Sequence, residues 1–144
     1  MQLKLTDPYP ELPIEYGPHG RGVGKWVTEQ KHKYLADYII ATQMARRKFP
    51  QCVLIDPFCG PGRLQVEGEA FTRPGGSVIA YSAASTTKAP FTKILIGDID
   101  QSRVQANHKR LTAAGAKVEA FVGPASETVH FMAKAVPHGA LGKV

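Results

Sequence analysis

The chain has 144 residues, 43% hydrophobic and 21% charged, which matches one soluble globular domain with its own core. Its net charge of +6 makes an acidic partner such as RNA or DNA conceivable, yet no block of like charge exceeds Arg46-Arg47-Lys48, the pattern of an ordinary solvated surface. Two cysteines, Cys52 and Cys59, form neither a Cys-x-x-Cys pair nor a Cys/His spacing suited to zinc. No disulfide is expected between them, which fits a reducing compartment. The opening residues lack the basic flank and long apolar core of a signal peptide, and no run is long enough to cross a bilayer. A cytoplasmic protein without membrane contact is expected.

Residues 1–25 are rich in Pro and Gly, as in Asp7-Pro8-Tyr9-Pro10 and Gly20-Arg21-Gly22-Val23-Gly24, and read as an arm without regular structure that folds over the domain or stays mobile. Thr28 is placed to cap a helix running from Glu29 to about Lys48, with Leu35, Ile39 and Thr42 on one face. Phe49-Pro50 ends it. Cys52-Val53-Leu54-Ile55 then reads as a strand buried on both faces, followed at once by the turn Asp56-Pro57-Phe58-Cys59-Gly60-Pro61-Gly62-Arg63. Leu64 to Gly76 is long for a loop and suggests a lid or small hairpin.

Ser77 is positioned to cap a helix from Val78 to about Ala84, and Phe91 to Gly97 forms a second strand ending in Asp98-Ile99-Asp100. Ser102 is placed to cap the next helix, in which Val104, Leu111 and Ala114 share a face and Gly115 supplies the stop. Val118 to Val122 is a third strand, and Ser126 to Val136 a helix with Val129, Met132, Ala133 and Val136 inward. Pro137 to Val144 is long enough for no more than the opening of a fourth strand. The order predicts an α/β fold: a three-layer, Rossmann-like parallel sheet of which only the N-terminal part, about three strands, is present, with residues 26–144 as a partial domain truncated at its C-terminal end.

An apolar strand ending in a Gly-x-Gly turn is how open α/β sheets bring backbone close to a nucleotide-like ligand. A phosphate loop of the Gly-x-x-x-x-Gly-Lys-Ser/Thr kind is excluded, since no such string follows the strand. A dinucleotide fingerprint fails as well, because the third glycine position holds Gln65. A nucleoside with an amino-acid tail remains, with S-adenosylmethionine its commonest example. It has no diphosphate to wrap, so Gly60 and Gly62 need only give the backbone room, while a carboxylate at the strand end meets the cationic amino group.

Asp56 occupies that place, and Phe58 and Cys59 share the turn. Cys59 reads as a small turn residue, because no general base is fixed near it. The ribose needs an acid at the end of the next strand, for which Asp98 and Asp100 are the candidates, Asp100 being preferred for its closeness to the following helix. At the third strand Pro124 has no side chain to read an adenine amino group, so Ser126 or a backbone carbonyl must serve. Trp26 is expected to pack, Lys31 and His32 to be solvated, and His108 and His130 to lie at the surface or an edge.

Asp-x-Phe-x-Gly-x-Gly after the first strand and Gly-Asp-Ile-Asp-Gln-Ser before a helix look like the cofactor half of class I S-adenosylmethionine-dependent methyltransferases. The set Trp26-Val27-Thr28-Glu29-Gln30-Lys31-His32 with Leu35 and Tyr38, then Ile55 to Arg63, Gly76-Ser77 and Gly97-Asp98-Ile99-Asp100, resembles the three-Cys-motif partner protein family from about Trp26 to Ala135. That resemblance implies a methyltransferase-like Rossmann fold and a bacterial protein working beside a cysteine-motif partner protein. The family continues into a fourth strand ending in an Asp-Pro-aromatic segment at the catalytic mouth, which has no match here. The cofactor half is therefore expected without its reacting half. The competing expectation is a non-catalytic module that binds a cysteine-motif partner or nucleic acid, with an uncovered edge beside the first strand as the place a partner would cover.

Overall fold

The structure, a computed structural model, describes residues 6–143. Its main sheet has four parallel strands, β1 (Cys52–Asp56), β4 (Lys93–Asp98), β5 (Val118–Val122) and β6 (Leu141–Lys143), in the order β5-β4-β1-β6. A two-stranded antiparallel ribbon, β2 (Arg63–Gln65) with β3 (Thr72–Pro74), stands apart from it. The helices are α1 (Lys33–Ala41), α2 (Gln43–Arg46), α3 (Gly76–Ser85), α4 (Gln101–Ala113) and α5 (Ala125–Ala135).

Side-chain alternation along the strands divides the core into two. Cys52 and Leu54 of β1 and Ile94 and Ile96 of β4 face one way, joining Ile39, Ala80, Ala83, Val104 and Leu111 from α1, α3 and α4. Val53 and Leu95 face the other way and meet Met132 of α5. Burying each large aliphatic side chain contributes about 1.5–3 kcal/mol, so the first layer carries most of the apolar stabilisation. Helices on both faces of a parallel sheet make this a three-layer, Rossmann-like α/β fold.

The strand order reverses at β1: the chain steps outward through β4 and β5, then returns to place β6 on β1's other side. Ligands of open α/β sheets bind outside the carboxyl ends of the strands at such a reversal. The sequence suggested no more than the opening of a fourth strand, and Leu141 to Lys143 pair with Cys52 to Leu54. The expected bare edge beside β1 is thus covered, and among the described residues the edge strands are β5 and β6.

Several local expectations need correction. The first helix is not continuous: a π-helical stretch Val27–His32 leads into α1, and α2 follows after Thr42. Thr42 Oγ1 donates back to the Tyr38 carbonyl at 2.8 Å, a bond that competes with the helical ladder at the break. Thr28 is inside the first helical turn and caps nothing, its hydroxyl donating to the Lys25 carbonyl.

Residues 1–5 of the arm lie outside the described residues, and from Thr6 onward the arm folds over the domain. Glu15 and Val23 pair with β2 through the bonds Gln65 N to Glu15 O at 2.9 Å and Val23 N to Gln65 O at 2.8 Å. The Arg110 guanidinium, buried on α4, donates to the Asp7 carboxylate at 2.9 Å, to the carbonyls of Tyr9, Leu12 and Pro13, and to the Pro61 carbonyl at 2.9 Å. Because a guanidinium offers donors in a fixed fork, one side chain satisfies a whole segment of irregular backbone. On α5 the inward residues are Thr128 and Met132, with Ala135 and Val136 packed beside them, whereas Val129 and Ala133 face solvent. No helix among the described residues is long and apolar enough to cross a membrane.

Candidate functional site

β1 ends at Asp56, and the next six residues turn sharply under the carboxyl end of the sheet. Gly60 (φ 59°) and Gly62 (φ 82°) adopt the left-handed backbone that side chains disfavour. A Cβ on Gly62 would also stand 2.9 Å from Asn107 Oδ1 of α4. Glycine there is required twice over.

Asn107 is fully buried and holds the turn from beneath. Its Nδ2 donates to the carbonyls of Cys59 (2.9 Å) and Gly60 (3.1 Å), and its Oδ1 accepts from Ser77 Oγ (3.1 Å). From the neighbouring strand, Asp98 Oδ2 accepts from the Gly60 amide at 3.1 Å, and the Cys59 amide donates to the Gly97 carbonyl at 2.8 Å. The Gly75 amide donates to the Gly62 carbonyl at 2.9 Å. The turn is thereby fixed to β4, α4 and the start of α3 before any ligand arrives.

Above it lies a cavity of about 980 Å³, large enough for a nucleoside with a side chain. Its walls are the turn from Asp56 to Gly62, the arm around Gly22 to Gly24, the Trp26–Tyr38 segment, and the start of α3 at Gly75 to Ser77. Asp56 Oδ1 accepts from the Phe58 amide at 3.1 Å. Burial raises the Asp56 carboxyl above its ordinary range, opposed by that amide and by Lys31. A carboxylate held at such a cost is one that a cation in the cavity would stabilise. Burial, reinforced by Asp56 and Asp98, pushes the Cys59 thiol up to about 12, so it is no nucleophile at neutral pH.

Of the residues singled out from sequence, Asp56, Phe58, Cys59, Gly60 and Gly62 line this cavity together. Asp98 stands behind the turn. Asp100 points away: its Oδ1 accepts from the amides of Ser102 and Arg103 and from Ser102 Oγ at 2.6 Å. It, and not Ser102, is the cap of α4, and the Ser102 hydrogen bonds hold its carboxyl below the usual range. Ser126 is exposed in the first turn of α5, outside the cavity walls. Ser77 does not cap α3 either, because its hydroxyl is turned to Asn107 and the cap position is Gly75.

Two aromatic expectations are reversed. Trp26 is 57% exposed at the cavity wall instead of packed, and His32 is 7% exposed instead of solvated. Burial, with Lys31 adding to it, pulls the His32 imidazole down to about 4, so it is neutral at pH 7. His130 is exposed and His108 half-buried, as expected. Asn107 and Arg110 are the residues that sequence reasoning passed over, and His32 is one that it considered and placed in solvent. Asn107 was within reach, since it follows Val104 by three positions and precedes Leu111 by four, a polar residue on an apolar stripe.

No family model and no curated protein matches the chain. Among solved structures, a candidate RNA methyltransferase from Pyrococcus horikoshii is similar over 65% of this chain and 39% of that one, with 16% identity and a TM-score of 0.41. The chain spans about two fifths of the length of that protein.

Proposed function

We propose that this chain is an S-adenosylmethionine-binding domain of the methyltransferase type. The observation that carries the reading is the place of Asp56: a carboxylate raised by burial, at the end of the strand where the sheet order reverses, opening with a Gly-x-Gly turn onto a nucleoside-sized cavity. Asp56 receives the cationic amino group of the methionine moiety, and Gly60 and Gly62 let the ligand lie against backbone. Phe58, 78% exposed, and Ile99, 73% exposed, follow the ends of adjacent strands and offer apolar faces to the purine. Of the two acids where β4 ends, Asp98 is assigned to the ribose hydroxyls in this reading: its Oδ2 accepts from the Gly60 amide of the turn and its Oδ1 from the Asp100 amide, whereas Asp100 caps α4. Ser126 stands near the expected adenine end only by its position after β5.

The domain's own part in methyl transfer is binding and orientation, which hold the sulfonium methyl for in-line displacement by an acceptor. An acceptor, and a cysteine-motif partner protein beside it, belong to the same reading. Isothermal calorimetry tests it. S-adenosylmethionine should bind the wild type, and Asp56→Asn and Asp98→Asn should each weaken binding by roughly 10- to 100-fold, as expected for charge-assisted hydrogen bonds. Asp56→Asn should also raise the unfolding midpoint of the ligand-free protein, because it removes a charge that burial disfavours. Asp100→Ala should lower stability through its lost cap and leave affinity unchanged. Absence of binding to the wild type would overturn the reading, and a loss confined to Asp100→Ala would move the ribose to that residue.

A further inference from the structure

The start of α3 carries a set of polar groups that the fold itself leaves unanswered. Gly75, the cap residue, has no side chain, and the amides of Gly76, Ser77 and Val78 meet no acceptor among the described residues. These are the groups at which a helix concentrates its positive end. Gly75 to Ser77 line the cavity described above.

Beside them stands His32, 7% exposed, with an unpartnered and fully sealed Nδ1. Its Nε2 is turned toward the helix start: a Cβ built on Gly76 would lie 3.8 Å from it. Sealing a polar side chain without a partner costs about 1–3 kcal/mol, and a fold that only needed bulk there is served as well by Phe or Leu. At neutral pH the ring is uncharged, so one nitrogen carries a hydrogen and the other a lone pair. Placing the hydrogen on Nε2 directs a donor to the place where the α3 amides also converge. With glycine at position 76 no side chain stands between the ring and the helix start.

We propose that the first turn of α3 and the His32 ring form a carboxylate subsite, which takes the amino-acid carboxylate of the ligand while Asp56 takes its ammonium. The subsite rests on the reading of the cavity as an S-adenosylmethionine site. Two walls of the cavity have opposite polarity, the Asp56 carboxylate at the end of β1 and the helix N-terminus at α3, and a zwitterionic amino acid has the same two charges on one carbon. Lys31, near both Asp56 and His32 by its effect on each, adds positive charge at this wall. Backbone amides at a helix start suit a carboxylate or a phosphate alike; the single neutral imidazole and the neighbouring Asp56 favour the weaker, singly charged group.

The experiment compares S-adenosylmethionine with its decarboxylated analogue, which keeps the adenosine, the sulfonium and the amine. Wild type should bind the intact compound at least about 10-fold more tightly, the value of a lost charge-assisted contact. His32→Phe should shrink that ratio to about 2-fold, and His32→Gln, which restores a donor, should recover part of it. Equal binding of the two compounds by the wild type overturns the subsite while leaving the cofactor reading intact. A separate arm needs neither compound: acetate titrated into ¹⁵N-labelled wild-type protein should move the amide resonances of Gly76, Ser77 and Val78. If no adenosyl compound binds but acetate shifts these amides, the cofactor reading fails and the carboxylate subsite stands. If acetate leaves them still, the subsite is wrong, and this holds even where the His32 variants do not fold.

Discussion

His32 shows how one side chain can tie stability to pH. Its imidazole ionises at about 4 in the fold against 6.5 for the free side chain, chiefly because burial disfavours the cation. The unfolded chain therefore binds the proton more readily, and stability must fall as pH drops from about 6.5 towards 4. The effect approaches about 3 kcal/mol at its limit, at 1.36 kcal/mol per unit. Urea unfolding midpoints between pH 7.5 and 4.5 should fall steeply in the wild type and less steeply in His32→Gln. Parallel pH profiles would show that the ring is not buried as described. Nothing in the sequence announced this: a His beside Lys31 and Lys33 reads as solvated, and only the π-helical winding of residues 27–32 turns it inward.

The arm is the element whose behaviour the chain disguised most. Its Pro and Gly content forbids a regular helix, and from that composition alone lack of structure follows. Its partners are far away in sequence, however. Arg110 lies 103 positions from Asp7, and no local pattern relates them. Arg110→Ala would strand the buried Asp7 carboxylate and several carbonyls, a loss of about 3–5 kcal/mol by analogy with other broken buried pairs. Trypsin should then cut after the exposed Arg21 and Lys25 at least about 10-fold faster than in the wild type, since local opening governs access. The surface pair of Glu15 with Arg103 is partly exposed and contributes about 1 kcal/mol or less, so Glu15→Gln should leave the tryptic rate close to that of the wild type. Equal cleavage of the wild type and Arg110→Ala would mean that other contacts hold the arm.

On the scale of the whole molecule, the layered sheet was legible because apolar runs, their spacing and the glycine turn all obey short-range rules. Cys52 to Ile55 could only be a buried strand, and the Asp56 to Gly62 turn followed from its composition. What was not legible depends on tertiary choice. The three chosen caps, Thr28, Ser77 and Ser102, are all small polar residues near helix starts, yet the caps used are Trp26, Gly75 and Asp100. Ser77 was taken by Asn107, and Ser102 was outcompeted by a carboxylate two residues earlier. Propensity names the residue types; the packing between elements decides which one is used.

The arm forms one wall of the cavity, and the guanidinium that fastens it also holds the Pro61 carbonyl of the glycine turn. Docking of the arm and completion of the cavity are therefore a single equilibrium. If only a fraction of molecules has the arm in place, the apparent dissociation constant is the intrinsic one divided by that fraction. Linkage makes the relation reciprocal: whatever fills the cavity must hold the arm shut by the same factor. Hydrogen exchange at the Val23 amide, which bonds to Gln65 O, reads that factor directly. It should slow in proportion to ligand occupancy, although Val23 lies far along the chain from Asp56.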